Sequence, residues 1–170
     1  IVLNHNTVID IPTLYYIPLN FRWVSKREVF KTPFFGQYLI LHGDICINRG
    51  RASEALEQMV RDGKLWISRG ASVAVFPEGY TSKDGKLHHF RSGVFKIAQK
   101  ANVPIVVCTI QNTRQIFRNV THLKPTDVEL HLVDVIPAEN LKGKTTVDIG
   151  NQVYEMMIGD LGESFRAEEA

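Results

Sequence analysis

His5 and Asp10 enclose four residues in the segment Asn4-His5-Asn6-Thr7-Val8-Ile9-Asp10, a spacing that suits a general base with a built-in orienter. An imidazole titrates at roughly pH 6.5 in water, so near neutrality much of it is free to accept a proton. A carboxylate bonded to one ring nitrogen holds the ring in place, selects its tautomer and favours the cation formed during transfer. In a strand–loop–helix turn this separation lets Asp10 fold back onto His5. Further along, the apolar run Ala71-Ser72-Val73-Ala74-Val75-Phe76 stops at Pro77-Glu78-Gly79. Proline ends strand pairing, and glycine permits a tight turn or a close approach of backbone to a ligand. A base, its orienter and an acidic turn after a buried strand describe a site that takes a proton from a hydroxyl. Each part also has a plainer reading. A His-x4-Asp pair arises easily by chance as a loop histidine and a helix cap, and Glu78 alone is an ordinary solvated turn carboxylate. The two segments together favour catalysis.

The elements that must position these groups follow from the hydrophobic pattern. Ile1-Val2-Leu3 is a short apolar strand running into the polar stretch Asn4 to Thr7. Ile9-Asp10-Ile11-Pro12 opens a helix near 11–17, with proline tolerated in a first turn. Further strands are expected near 21–25, 44–48, 71–76, 104–110 and 128–136. Helices are expected near 33–41 and 145–158, from Ser53 with the stripe Leu56, Met59 and Val60, and behind Ser92 as cap with Val94, Ile97, Ala98 and Ala101 on one face. The unbroken apolar run at 71–76 suits a strand covered on both faces. Strand–helix alternation predicts a single α/β domain, its sheet mixed or largely parallel and flanked by helices, with functional groups at the carboxyl ends of the strands. The acidic stretch 161–170 is expected to fray.

A chain of 170 residues suffices for one domain with a real core. Its 20 Lys and Arg against 18 Asp and Glu leave only +2, so the charge does not suggest a nucleic-acid partner. Basic residues do concentrate between Arg22 and Lys31, interleaved with Phe21, Trp23 and Phe30 and followed by Phe34 and Phe35. That mixture suits an anionic membrane surface; an amphipathic element packed on the core fits it equally well. No apolar run has the length of a membrane-spanning helix, and no signal peptide is visible. Cys46 and Cys108 follow no spacing pattern and read as reduced core thiols. His88 and His89, with Glu78 and Asp84, lack zinc-type spacing, so no metal is expected; His42, His122 and His131 have no partner pattern. Gly70-Ala71-Ser72-Val73-Ala74 lacks the last glycine of a nucleophile elbow and starts a strand instead of ending one.

His5-x4-Asp10 followed by Phe76-Pro77-Glu78-Gly79 resembles the glycerolipid acyltransferase family, over a stretch from Leu3 to about Ile110. Val24 to Gly36 is similar to that family's lysine-bearing segment, and Gly43-Asp44-Ile45-Cys46-Ile47-Asn48-Arg49 to its glycine-to-arginine block. His89-Phe90-Arg91-Ser92-Gly93-Val94-Phe95 resembles its basic loop, and Val103-Pro104-Ile105-Val106-Val107 its fourth block. The family commonly continues the acidic turn with threonine, arginine and serine, where this chain has Tyr80-Thr81-Ser82.

The resemblance implies an acyltransferase domain over 3–160 that moves a fatty acyl group to the free hydroxyl of lysophosphatidate, or of another glycerol-phosphate or lysolipid acceptor. The donor is an acyl-CoA or acyl-carrier-protein thioester, a co-substrate and not a cofactor. His5 would be the base and Asp10 its orienter, the acceptor attacking directly with no acyl-enzyme. Lys26, Arg49 and Arg91 match the basic positions expected to hold the acceptor phosphate, and Glu78 and Gly79 would shape its site. Lys26 also sits in the basic stretch already described, and Arg49 beside Arg51 in a loop charge cluster. Family members usually carry membrane-embedding helices ahead of this point. The resemblance therefore implies the catalytic core of a longer protein, or a minimal version of one, at the cytoplasmic face of a membrane, with an acyl carrier protein as a further partner. A lipid-binding module without catalysis is the rival, against which the His5–Asp10 pair argues.

Overall fold

The computed structural model describes residues 1–48, 52–119 and 122–168. Its central sheet is threaded by the amino-terminal segment. β1 (Phe21–Lys26) lies between β2 (Ile45–Ile47) and β3 (Ser72–Ala74), parallel to both. Val2 bridges in parallel to Val75, just beyond β3, and to Val107 of β4 (Ile105–Gln111). A short hairpin, β5 (Phe117–Asn119) with β6 (His122–Leu123), precedes β7 (Glu129–Ile136), which runs antiparallel to β4. The order across the sheet is thus β2-β1-β3, then the 1–3 segment, then β4 and β7. The expected first strand is reduced to one bridge on each side, yet it pairs fully. Leu3 N–H donates to the Val75 carbonyl at 3.1 Å, and Cys108 N–H to the Val2 carbonyl at 2.9 Å.

Strand alternation sends successive side chains to opposite faces, and both faces are covered. Val2, Val73, Val75 and Val107 pack with residues of α4 (Ala52–Ser68), α5 (Lys96–Ala101) and α6 (Thr146–Leu161), among them Met59, Ile97, Ile149 and Val153. Leu3, Phe21, Trp23, Ala74, Cys108 and Ile110 pack on the other side with Leu14 of α1 (Asp10–Leu14). Burying Phe21 and Trp23 in this way removes them from the membrane-facing pattern expected around Arg22–Lys31. α6 begins on a capping box, in which Thr145 and Asp148 each satisfy the other's backbone N–H.

Several boundaries differ from the sequence reading, each for a local reason. α1 stops at Leu14 instead of reaching 17, since Pro18 disfavours a helical Ile17. A four-residue helix, α2 (Arg27–Phe30), occupies the lysine-bearing segment, and α3 (Phe35–His42) starts only after Pro33. Gly36 lets the two approach, because a Cβ there would sit 2.1 Å from the Phe30 carbonyl oxygen. Ser92 does not cap: Arg91 holds that position, no side-chain cap bond forms, and Ser92–Phe95 is a 3-10 turn leading into α5. Over the residues described, the acidic tail packs back on the domain. Leu87 N–H donates to the Phe165 carbonyl at 2.7 Å and Ala167 N–H to that of Leu87 at 3.2 Å, while Arg166 grips Glu155 at 2.7 and 2.8 Å.

Candidate active site

Asn4 ends the first sheet segment by imitating a strand. Its amide donates to the Ile110 carbonyl at 2.9 Å and accepts the Ile110 N–H at 2.7 Å, both within the core. The chain direction is therefore set immediately before His5. The His5 ring lies flat on Phe76, centroids 3.9 Å apart and planes within 10°, and Phe76 in turn stacks on buried Trp23 at 4.7 Å.

Asp10 folds back from the first turn of α1. Its Oδ2 accepts the Asn6 N–H at 2.6 Å, the Thr7 N–H at 2.8 Å and stands 2.9 Å from His5 Nδ1. Amide protons can only be donated, so this oxygen is an acceptor and the proton of the histidine contact resides on Nδ1. Nε2 is left with its lone pair. Asp10 is wholly buried, whereas 13% of the His5 side chain reaches solvent. The pair is dry at Asp10 and reaches solvent at His5. Thr81 meets that open side, its Oγ1 3.0 Å from Nε2.

Glu78 is buried, not the solvated carboxylate that a turn position suggests. It accepts the His5 N–H at 3.0 Å and the His88 N–H at 3.1 Å, one on each oxygen. Burial outweighs these bonds and pushes its pKa up from 4.5 to about 7. Gly79 turns the chain at φ 75°, with its N–H on the Phe76 carbonyl at 3.1 Å. The following loop is anchored at both ends. Ser82 N–H donates to the His5 carbonyl at 2.8 Å, Arg114 binds the Ser82 and Lys83 carbonyls at 2.9 and 2.8 Å, and Arg91 N–H binds the Pro77 carbonyl at 2.8 Å.

A family model described as acyltransferase matches residues 1–111. The chain belongs to the acyltransferase family. It is 36% identical over 115 residues to a chloroplastic 1-acyl-sn-glycerol-3-phosphate acyltransferase of Brassica napus, an alignment covering 68% of this chain and 33% of that protein. A 1-acyl-sn-glycerol-3-phosphate acyltransferase of Helicobacter pylori is 32% identical over 121 residues, 70% of this chain and 51% of its own length. The chain thus spans between a third and about half of these relatives. The crystal structure of the 1-acyl-sn-glycerophosphate acyltransferase PlsC of Thermotoga maritima superposes with a TM-score of 0.73 at 23% identity, over 99% of this chain and 67% of that one, so the two share a fold.

In this acyltransferase fold His5, Asp10, Glu78 and the Gly79 turn come together, and the Arg91 backbone joins them through Pro77. Lys26 stands exposed at the carboxyl end of β1, separated from the His5 segment by β3. Arg49 lies outside the described residues. The exposed Lys26 and Arg91 side chains enter no ion pair among the described residues. His88 binds Asp84 through Nε2 at 2.9 Å while His89 stacks toward Tyr154, so the adjacent histidines face different ways. Among the described residues no group of three His, Cys, Asp or Glu side chains could hold a metal ion. The sequence reading did not single out Asn4, and it noted Thr81 only as a departure. Asn4 had a visible signal, the first polar residue after an apolar run. Thr81 had none, because its contact spans the fold.

Proposed function

We propose that this chain is the catalytic region of a 1-acyl-sn-glycerol-3-phosphate acyltransferase. It would move a fatty acyl group from an acyl-CoA or acyl-carrier-protein thioester to the free hydroxyl of lysophosphatidate, giving phosphatidate. The observation that carries the reading is the His5–Asp10 pair, sealed at the carboxylate and open at Nε2, in a family whose relatives carry that name. His5 Nε2 takes the acceptor's hydroxyl proton as its oxygen attacks the thioester carbonyl. Asp10 stabilises the resulting imidazolium. The tetrahedral intermediate collapses, the C–S bond breaks, and the thiolate leaves with the proton from His5. Attack is direct, and the thioester is the only co-substrate required. Lys26, Arg49 and Arg91 would hold the acceptor phosphate by charge-assisted hydrogen bonds, while Glu78 and Gly79 shape its site through the backbone they hold.

The acceptor is an amphiphile, and the reading includes a membrane surface. Tyr16 is 91% exposed, Phe34 86% and Leu41 88%, with Ile40 and Leu19 beside them in sequence, and Tyr15 packs edge-on against Tyr38 to join the α1 and α3 ends. Lys26, Arg27 and Lys31 are exposed on the preceding segment. Aromatic and aliphatic side chains next to cations suit an anionic bilayer surface. Among the described residues no helix is long and apolar enough to cross a membrane. The test is thiol release from acyl-CoA and acyl-carrier-protein donors in detergent micelles, with and without lysophosphatidate. Acceptor-dependent release and phosphatidate formation, lost in His5→Ala, are expected. Acceptor binding with no release from either donor would instead identify a lipid-binding module.

A further inference from the structure

Thr81 occupies the one position from which the base must work. With the Nδ1 proton committed to Asp10, the Nε2 lone pair of His5 accepts the Thr81 hydroxyl proton at 3.0 Å. That is the distance and direction an acceptor hydroxyl needs. The contact is held from the backbone side, because Ser82 N–H is bonded to the His5 carbonyl and Arg114 clamps the Ser82 and Lys83 carbonyls. The Thr81 side chain itself is exposed. A rotation about χ1 swings the hydroxyl off Nε2 without moving the pinned backbone.

From this geometry we infer that Thr81 is an internal stand-in for the acceptor, which keeps the base from activating water while no acceptor is bound. The inference rests on His5 being the general base. The side reaction it prevents is thioester hydrolysis. A water on Nε2 would give its proton to His5 and attack the thioester carbonyl; the C–S bond would break, and the thiolate would recover that proton, leaving a free fatty acid. An acceptor hydroxyl outcompetes Thr81 because the rest of the lipid binds with it, whereas water brings no such binding energy. The enzyme thereby discriminates between two hydroxyl nucleophiles that its base alone would not separate.

The experiment follows thiol release and phosphatidate formation together in wild type, Thr81→Val and Thr81→Ser, with each fold checked by a thermal melt. Valine keeps the shape and removes only the hydroxyl. Thr81→Val should raise the ratio of hydrolysis to transfer by about tenfold, the worth of one hydrogen bond to the base, and lower the acceptor KM, since nothing need be displaced. Thr81→Ser should restore the wild-type ratio. An unchanged ratio in Thr81→Val, or serine behaving as valine does, overturns the inference. So does an intact-mass increment equal to the acyl group and mapping to Thr81, which would make the residue a nucleophile. Wild type that transfers with full dependence on His5 while the ratio stays fixed sinks this inference alone; wild type that transfers nothing sinks it together with the base assignment.

Discussion

The buried carboxylate of Glu78 accepts the backbone N–H of His5 at 3.0 Å, so the acidic turn grips the main chain of the proposed base and not its ring. Its second oxygen takes the His88 N–H at 3.1 Å, which ties the start of the basic loop to the same point. Glu78→Gln offers an NH2 where one of these donors needs an acceptor. It should cost about 1–3 kcal/mol of stability, the penalty for one unpaired buried group, and slow transfer by displacing His5. Denaturant unfolding and thiol release read the two effects side by side.

Glu78 also sets a pH dependence. Its pKa is raised in the native state from 4.5 to about 7, so between those values the native protein holds a proton that the unfolded chain has lost. Its contribution is fully present below pH 4.5 and disappears as the pH rises through about 7. Unfolding measured at pH 5 and pH 7.5 should show a decline in wild type that Glu78→Gln flattens. Equal declines in both proteins would remove Glu78 as the cause.

Asp10 carries two duties that substitution can separate. His5→Ala should lower acyl transfer by about 10² to 10⁴-fold, the span of a general base, with a smaller loss of melting temperature than Asp10→Ala, because Asp10 keeps the Asn6 and Thr7 donors. Asp10→Ala should lower transfer as well, and also destabilise the fold, since the Asn6 and Thr7 amides lose their acceptor. A melt unchanged in Asp10→Ala would mean that the loop does not depend on those bonds.

The pairing of His5 with Asp10 was legible because it is local, five residues apart across one turn. The position of Glu78 was equally plain, but its burial was not, since its donors are backbone groups of two distant segments. The same limit hid the pairing of His131 with Asp160 at 3.1 Å, whereas His42 and Asp44, 2.9 Å apart and two residues distant in sequence, form a local pair that the sequence reading passed over. The basic–aromatic stretch divides between its two readings for another reason. Residues of β1 alternate between the two packed faces of the sheet, so Phe21 and Trp23 turn toward α1 and Val24 toward the opposite cluster, while Phe34, beyond the strand, turns out. The sheet was readable from its apolar runs, whereas the β5–β6 hairpin lies in a polar segment without alternation to mark it.

His131 supplies a second pH dependence of the same sign. Its pKa is raised above 6.5, first by the bond to Asp160 and then by Glu129, despite slight burial. Stability from the protonated ring is therefore present below pH 6.5 and lost as the pH rises through the higher native value. Asp160 acts oppositely. Burial pushes it up, but the donors Thr109, His131 and Gln111 together hold it below 3.8, so its contribution is lost as the pH falls through that depressed value. His131→Leu should flatten the loss above pH 6.5 and, because Asp160 then keeps only Thr109 and Gln111 as donors, weaken the acid limb as well, a result that melts on both sides of neutrality would show.

Phe34 holds φ 62° and ψ −54°, a conformation that side chains rarely adopt, and it is spent on a ring that is 86% exposed. Backbone strain of about 1–3 kcal/mol normally persists where something is gained by it. On the proposed membrane reading, a phenylalanine presented outward, near Arg27 and Lys31 in sequence, gains by entering a bilayer surface, where burying such a side chain is worth roughly 1.5–3 kcal/mol. Phe34→Gly should therefore raise the melting temperature by relieving the strain, yet weaken binding to vesicles containing anionic lipid by about tenfold or more. Leu41→Ser should weaken binding similarly without the stabilising effect. Vesicle flotation of the three proteins decides the matter: variants that bind as wild type does would show that this face does not meet the membrane.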